Sequence, residues 1–182
     1  RFDPALIVIA CNTASSVALP ALTRAVDVPV VGVVDSGVRA ALAATRNGRI
    51  GVIGTAATVR SGGYERGLRA ARADLTIVAA PCPLLVPLVE EGWIDHPVTR
   101  HVVGEYLAPL LAADIDTLIL GCTHYPLLKP VLTAVAGPGV SLIDTGEATA
   151  REVAAGLPDP AAPSVRPATH RFFVSDDPAR FE

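Results

Sequence analysis

A segment pattern that occurs twice limits most strongly how this chain can fold. At residues 5–15 and again at 116–126, an apolar or β-branched run ends in a small residue, and a cysteine with further polar residues follows at once. Helix-like sequence begins soon afterwards in both places. The pattern predicts a buried parallel strand that delivers polar side chains to its carboxyl end, which is the edge of an open α/β sheet where ligands bind.

Strand-like and helix-like segments alternate along the rest of the chain. The strand candidates are continuous apolar runs, which are typical of a parallel sheet with helices on both faces. They lie at about Leu6–Ala10, Val30–Val34, Arg49–Ile53, Thr76–Ala80, Thr117–Leu120, Ser141–Ile143 and Arg171–Val174. Two of the intervening helices are expected at about Val38–Thr45 and Val59–Ala71, and Pro158–Pro163 is expected to be a loop. Because the cysteine segment is duplicated, we predict an α/β fold of two similar halves with a cleft between them.

The composition excludes several classes of protein. With 182 residues, 51% of them hydrophobic, and a mean hydropathy of +0.45, the chain can bury a sizeable core as one large domain or two small ones. No apolar run reaches the roughly 18 residues of a membrane span, and no secretory signal opens the chain. The net charge of −3, without a basic cluster, argues against nucleic acid as a partner. We therefore expect a cytoplasmic protein with no membrane and no nucleic-acid partner.

The three cysteines fit reduced cytosolic thiols better than a disulfide framework, because they are few and odd in number. An isolated cysteine is most often a small buried apolar residue, and we expect that of Cys82, which lies between two prolines. Cys11 and Cys122 differ, since each follows a predicted strand and precedes a predicted helix. The partial positive charge and free N–H groups of a helix N-terminus are expected to lower the pKa of both thiols.

Two thiols that face each other suit the inversion of a stereocentre. A thiolate takes a proton from one face of a carbon, and a thiol delivers a proton to the other face. Pyridoxal phosphate would normally stabilise the carbanion, but the only lysine, Lys129, lies in a predicted helix turn and is a poor Schiff-base site. The sequence therefore favours a route without a cofactor, in which hydrogen-bond donors stabilise the carbanion or enediolate.

Four strings in the chain carry a resemblance to a known family. They are CNTAS at 11–15, GVIGTAAT at 51–58, PLLVPLVEEG at 83–92 and GCTHYP at 121–126. In that order they resemble the glutamate racemases of the aspartate/glutamate racemase superfamily, and the similarity covers almost the whole chain. It implies interconversion of L- and D-glutamate without a cofactor, which supplies D-glutamate for peptidoglycan.

The resemblance also implies two pseudo-symmetric α/β domains with the substrate between them, each a mainly parallel sheet with helices on both faces. We place residues 1–34 with 144–182 in the first, discontinuous domain and residues 35–143 in the second. Family members carry further βα units before the CNTAS strand, with Asp-Ser and Pro-Tyr-Gly segments that line the site. No counterpart precedes Arg1, and Asp35–Gly37 is interpreted as a pseudo-symmetric position only. We therefore expect an incomplete first domain, and weak or no racemisation by the 182 residues alone.

The resemblance assigns catalytic roles residue by residue. Cys11 would be the thiolate that acts on D-glutamate, and Cys122 would be its counterpart for L-glutamate. His124 would assist Cys122 by hydrogen bonding or proton exchange; the alternative is a core histidine that only makes hydrogen bonds. Glu90 matches an acid near the family's site, and its alternative is a solvent-facing helix residue beside Glu91.

The resemblance also implies a set of substrate-binding side chains. Asn12, Thr13 and Thr123 would bind the amino and carboxylate groups of the substrate. Thr55 and Thr58, at the carboxyl end of a predicted strand, would offer hydroxyls to a carboxylate, with helix capping as the structural alternative.

No metal site is expected, because His96, His101 and His170 lack partners at metal-ligand spacing.

Other functions stay open at this point. One is an aspartate racemase or another superfamily member, although aspartate enzymes tend to carry an acid after Cys-Thr, where this chain has His124. A non-catalytic fragment or binding protein that keeps only the fold is a second. A cysteine hydrolase is a third, and it would need an acid to orient the histidine, which the sequence does not point to. The expected ligand is glutamate, and the oligomeric state is open, with a homodimer as one expectation.

Overall fold

The computed structural model describes residues 3–157 and 169–175. Within these ranges the strands are β1 (Ile7–Ile9), β2 (Val30–Gly32), β3 (Arg49–Gly54), β4 (Thr76–Pro81), β5 (Thr117–Gly121) and β6 (Ser141–Asp144). The helices are α1 (Asn12–Ala25), α2 (Val33–Ala44), α3 (Ala56–Ser61), α4 (Gly63–Ala71), α5 (Leu85–Glu90), α6 (Pro97–Ala112), α7 (Lys129–Ala136) and α8 (Thr145–Gly156), with a 3₁₀ turn at Tyr125–Leu128. No helix in this described part is long and apolar enough to cross a membrane.

The strands form two sheets, and all of their pairings are parallel. Among residues 3–157 and 169–175, β1 pairs with β2 alone, while the larger sheet has the order β4-β3-β5-β6. In the larger sheet Gly54 lies opposite Gly121, so the carboxyl ends of β3 and β5 are level. A Cβ at Gly121 would lie 2.6 Å from the carbonyl oxygen of Ile53, and only glycine permits this close backbone approach. The glycine therefore fixes where the chain leaves β5, one residue before Cys122.

The four-stranded sheet is covered on both faces, because successive side chains of its central strands point to opposite sides. Leu118 and Leu120 of β5 pack with the core under α5, α6 and α7. Ile119 packs into the second core, formed with α2 and α4. All five residues of β5 are buried. This three-layer arrangement confirms the predicted α/β class with parallel sheets and flanking helices.

The two-stranded sheet is more open. The central residue of β1, Val8, is 45% exposed, although the sequence around it resembles that around β5. In the part of the chain that the structure describes, β1 has one neighbouring strand, and α1 packs against it. The division of the chain into two domains is not tested by these contacts and stays a prediction.

Several boundaries differ from the sequence-based predictions. Strand β2 ends at Gly32, so Asp35, Ser36 and Gly37 lie in the beginning of α2 and not after a longer strand. The helix predicted over Val59–Ala71 is broken at Gly62, whose φ of 63° ends α3 in the left-handed conformation. Residues 171–174 form no strand. The loop predicted at Pro158–Pro163 lies outside the described residues.

Candidate active site

The carboxyl ends of β1, β3 and β5 meet at a cavity of about 170 Å³. Its lining residues are Cys11, Asn12, Thr13, Thr55, Val86, Cys122, Thr123 and His124. Every one of them except Val86 was predicted from the sequence as a site residue. Pockets for drug-sized ligands have volumes of about 300–1,000 Å³. This cavity is smaller, so it suits a ligand of amino-acid size. The two cysteine segments therefore face the same small space.

Cys11 occupies the N-cap position of α1. Its backbone is extended, and its sulfur accepts a hydrogen bond from the Ala14 amide at 3.5 Å. The residue is exposed. A helix N-terminus has free N–H groups, and the Ala14 amide is one that reaches the sulfur of Cys11.

Cys122 has a different environment, although it also follows a strand. It is only 7% exposed, and burial raises the pKa of its thiol. The His124 and Tyr125 amides and the Thr123 hydroxyl lower this pKa, while the nearby Cys11 raises it, and the net result is an increase. The expectation that a helix N-terminus lowers the pKa is therefore wrong for Cys122. The chain passes first through a 3₁₀ turn, and α7 begins only at Lys129.

A histidine and a glutamate extend the Cys122 side of the cavity. His124 Nδ1 lies 3.7 Å from the sulfur of Cys122, and its Nε2 lies 2.5 Å from a carboxylate oxygen of Glu90. The Thr123 hydroxyl is 3.3 Å from the same Nδ1. Glu90 is held there by α5, whose Val86 lines the cavity. An acid that orients a histidine beside a cysteine is thus present, which corrects the opposite expectation from the sequence.

Three threonine hydroxyls form a closed ring, and two of these residues, Thr13 and Thr55, line the cavity. Thr13 Oγ1 lies 2.9 Å from Thr55 Oγ1 and 3.0 Å from Thr58 Oγ1, and the last two are 3.0 Å apart. Thr55 also caps α3, since its hydroxyl accepts from the Thr58 amide. The capping role and the cluster are therefore both present. Each hydroxyl forms hydrogen bonds with the other two. Because a hydroxyl hydrogen can rotate, a hydroxyl of this ring can donate to a carboxylate instead.

Asn12 connects the cavity to residues that the sequence did not reveal. It is 2% exposed, and its side-chain oxygen accepts hydrogen bonds from the hydroxyls of Tyr64 and Thr145. Tyr64 lies in the amphipathic helix α4 and has the sequence signal of an ordinary core residue. Thr145 directly follows β6, and this position at the carboxyl end of a strand was a signal that could have found it.

The remaining singled-out residues lie away from the cavity. Cys82 is fully buried, and burial raises its pKa to about 12 despite the hydrogen bond from the Gly54 amide. Lys129 forms ion pairs with Asp144 at 2.7 Å and Glu147 at 3.6 Å. Within residues 3–157 and 169–175, no three His, Cys, Asp or Glu side chains are grouped as a metal site would require.

Comparison with known proteins gives consistent matches. The sequence model described as Asp/Glu/Hydantoin racemase matches residues 2–153. A curated glutamate racemase from Geobacter metallireducens is 48% identical over 181 residues, which cover 98% of this chain and 67% of that protein. The chain thus spans about two thirds of the length of this relative.

Solved structures agree with the sequence matches. The crystal structure of a glutamate racemase isoform from Bacillus anthracis matches with a TM-score of 0.81 and 42% identity, over 85% of this chain and 58% of that one. A glutamate racemase from Francisella tularensis, solved in complex with D-glutamate, matches with a TM-score of 0.74 and 33% identity. That match covers 83% of this chain and 56% of the other.

Proposed function

Because this chain belongs to the Asp/Glu/Hydantoin racemase family, we propose that it interconverts L- and D-glutamate by proton transfer between two thiols, without a cofactor. The observation that carries the proposal is that Cys11 and Cys122 line one cavity of about 170 Å³. A ligand of amino-acid size in this cavity has a sulfur within reach from two different strand ends. The bound D-glutamate named for the Francisella relative supports glutamate as the ligand.

The proposed reaction moves one proton off the substrate and another onto it. With D-glutamate, the Cys11 thiolate removes the Cα proton and becomes a thiol, which leaves a carbanion stabilised as the enediolate. The Cys122 thiol then donates its proton to the opposite face and becomes the thiolate. The raised pKa of Cys122 supports this role, since a buried thiol is protonated at neutral pH.

With L-glutamate, Cys122 must first lose its proton. His124 Nδ1, at 3.7 Å from the sulfur, accepts that proton. The carboxylate of Glu90 at 2.5 Å from Nε2 stabilises the resulting imidazolium. The thiolate of Cys122 then removes the Cα proton, and Cys11 delivers a proton from the other side.

The negative charge that develops on the substrate carboxylate needs positioned donors. The ring of Thr13, Thr55 and Thr58 supplies hydroxyls on one side of the cavity, and Thr123 supplies another beside His124. Fixed donors of this kind stabilise a developing oxyanion more than water does, because they need no reorganisation during the reaction.

The wider role follows from the product. We propose that the reaction supplies D-glutamate for peptidoglycan in the cytoplasm. We also propose that the substrate lies between two domains, formed by residues 1–34 with 144–182 and by residues 35–143.

Loss of the Cα proton in D₂O tests the proposal most simply. The chain is incubated with D- or with L-glutamate, and proton NMR follows the Cα–H signal while circular dichroism follows inversion. We expect slow exchange with both enantiomers, and a decrease of at least about 10²-fold in Cys11→Ala and in Cys122→Ala, since a positioned acid or base contributes on that scale. Clear exchange that Cys11→Ala and Cys122→Ala both retain at the rate of the unaltered chain would contradict the proposal. A cysteine hydrolase would depend on Cys122 and His124 without Cys11, so full activity of Cys11→Ala on an ester would favour that function instead.

A further inference from the structure

Asn12 is held by two hydroxyls that do not belong to the cavity lining. Tyr64 comes from α4 and Thr145 from the start of α8, and each is 2% exposed. The Tyr64 hydroxyl donates to Asn12 Oδ1, and Thr145 Oγ1 donates to the same oxygen at 3.3 Å. An amide whose carbonyl is occupied in this way must direct its NH₂ group elsewhere.

Asn12 lines the cavity that the two thiols share, and its carbonyl oxygen is held on the side of Tyr64 and Thr145. Ser16 Oγ is the one enclosed side-chain nitrogen or oxygen without a hydrogen-bond partner in the described part of the chain. Asn12 Nδ2 also has no hydrogen-bond partner among the described residues. Because it is nevertheless not one of the fully buried unpaired atoms, it keeps some accessible surface. Since Asn12 lines the cavity, we infer that its NH₂ group meets a ligand there.

We propose that Tyr64 and Thr145 are positioning residues, which fix the amide of Asn12 so that it donates to a carboxylate oxygen of the substrate and does not accept from the substrate ammonium. This inference rests on the proposed function, because it names the substrate group that Asn12 recognises. The two hydroxyls act only through Asn12. A flipped amide would remove the acceptor of the Tyr64 hydroxyl at a position with almost no access to water.

One competing hydrogen-bond arrangement has to be distinguished. Thr145 has a single hydroxyl hydrogen, and the Leu120 carbonyl, at 3.4 Å, competes for it with Asn12 Oδ1 at 3.3 Å. If Thr145 donates to Leu120, it can accept from Tyr64, and a flipped Asn12 can then donate to Tyr64. The amide would in that case present its oxygen to the substrate, as an acceptor for the ammonium.

Neutron diffraction from deuterated crystals of the ligand-free chain separates the two arrangements without any substrate. The proposal predicts both deuterons of Asn12 Nδ2 on the cavity side and the Tyr64 deuteron on the line to Oδ1. A deuteron of Nδ2 on the line to the Tyr64 oxygen would overturn it. Because no ligand is involved, this result stands even if the chain proves not to act on glutamate.

Binding measurements with two ligands test the same inference in function. Glutarate keeps both carboxylates of glutamate but lacks the ammonium. We expect Tyr64→Phe to weaken both ligands by the same factor, about fivefold to tenfold, which corresponds to one hydrogen bond. We expect Thr145→Val to weaken the binding of glutamate and glutarate by one common factor that is smaller than that of Tyr64→Phe. Thr145→Ser keeps the hydroxyl and should bind both ligands as the unaltered chain does. A loss confined to glutamate would show that Asn12 faces the ammonium and would overturn the proposal.

A matched control separates positioning from a loss of stability. Tyr125 is also buried, but its hydroxyl donates to the Cys82 carbonyl at 3.0 Å and not to Asn12. Tyr125→Phe should lower the melting temperature about as much as Tyr64→Phe and leave both dissociation constants unchanged. Equal weakening of ligands by the two variants would overturn the positioning role. If the unaltered chain binds neither enantiomer of glutamate, the proposed function fails, and the neutron result still decides the orientation of Asn12.

Discussion

The two cysteine segments have the same sequence pattern and very different surroundings. Around Cys122, β5 lies between two neighbouring strands and two helical layers, and all its residues are buried. Around Cys11, β1 has one strand partner among the described residues, and Val8 at its centre is 45% exposed. The comparison teaches that the pattern determines where a thiol is delivered, whereas the packing around the strand determines how deeply that thiol is buried.

This asymmetry suits a reaction that needs one acid and one base. Cys11 is exposed and caps a helix, while Cys122 is buried and has a raised pKa. Among the described residues, Cys122 has a neighbouring histidine, His124, which in turn contacts Glu90, and Cys11 has no such pair.

The largest expected difference between the two halves is in stability. Leu118→Ala removes a fully buried side chain from β5 and should lower the free energy of unfolding by about 2–5 kcal/mol. Val8→Ala, in β1, should lower it by less than about 1 kcal/mol, because almost half of Val8 is already exposed to water. Urea unfolding of both variants checks this. Equal losses would mean that β1 is as well packed as β5.

A second difference concerns how each strand begins. Asp116 directly precedes β5, and its carboxylate accepts hydrogen bonds from the hydroxyls of Thr45 and Thr117 and from the amides of Arg46 and Asn47. The corresponding position in the first cysteine segment is Ala5, which cannot accept such bonds through its side chain. Burial alone would raise the pKa of the Asp116 carboxyl, but these donors outweigh burial and lower it to about 2. Asp116→Asn should lower the free energy of unfolding at pH 7 by about 1.5–3 kcal/mol.

The pH dependence follows from the direction of this shift. A carboxyl whose pKa is lower in the folded chain stabilises it fully above the pKa of the unfolded chain, near 4, and the contribution is lost as the pH falls toward 2. The difference between the unaltered chain and Asp116→Asn should therefore shrink between pH 5 and pH 2. A difference that stays constant with pH would contradict the role given to the ionised carboxylate.

The smallest effect is expected at Glu90, which acts at a distance from the substrate. Glu90→Gln keeps a group that can form a hydrogen bond with His124 but removes the negative charge. Exchange of the Cα proton should slow by about tenfold, which is less than the roughly 10²–10⁴-fold rate effect of a positioned general acid or base. Glu91→Gln is the matched control from the adjacent position and should leave the rate unchanged. If both variants behave alike, Glu90 is only a surface residue.

Much of the fold could be predicted from the sequence, and so could the gathering of Cys11, Asn12, Thr13, Thr55, Cys122, Thr123 and His124 around one cavity. Continuous apolar runs locate the strands, and the residues that follow β1, β3 and β5 converge because carboxyl ends of parallel strands share one edge. The raised pKa of Cys122 could not be predicted, since burial depends on α5 and on the 3₁₀ turn. Tyr64 was missed because its partner Asn12 is 52 residues away in the chain. Residues 171–174 have strand-like composition, but strand formation depends on tertiary context.

Alkylation of the thiols with and without glutamate tests the central claim most directly. Iodoacetamide labelling read by mass spectrometry requires no turnover, and Cys82, fully buried with a pKa raised to about 12, serves as an internal control. We predict that glutamate protects Cys11 and Cys122 with one common half-saturating concentration, because a single ligand lies between them, while labelling of Cys82 stays negligible throughout. Protection of one cysteine alone, or two clearly different half-saturating concentrations, would contradict a shared substrate site.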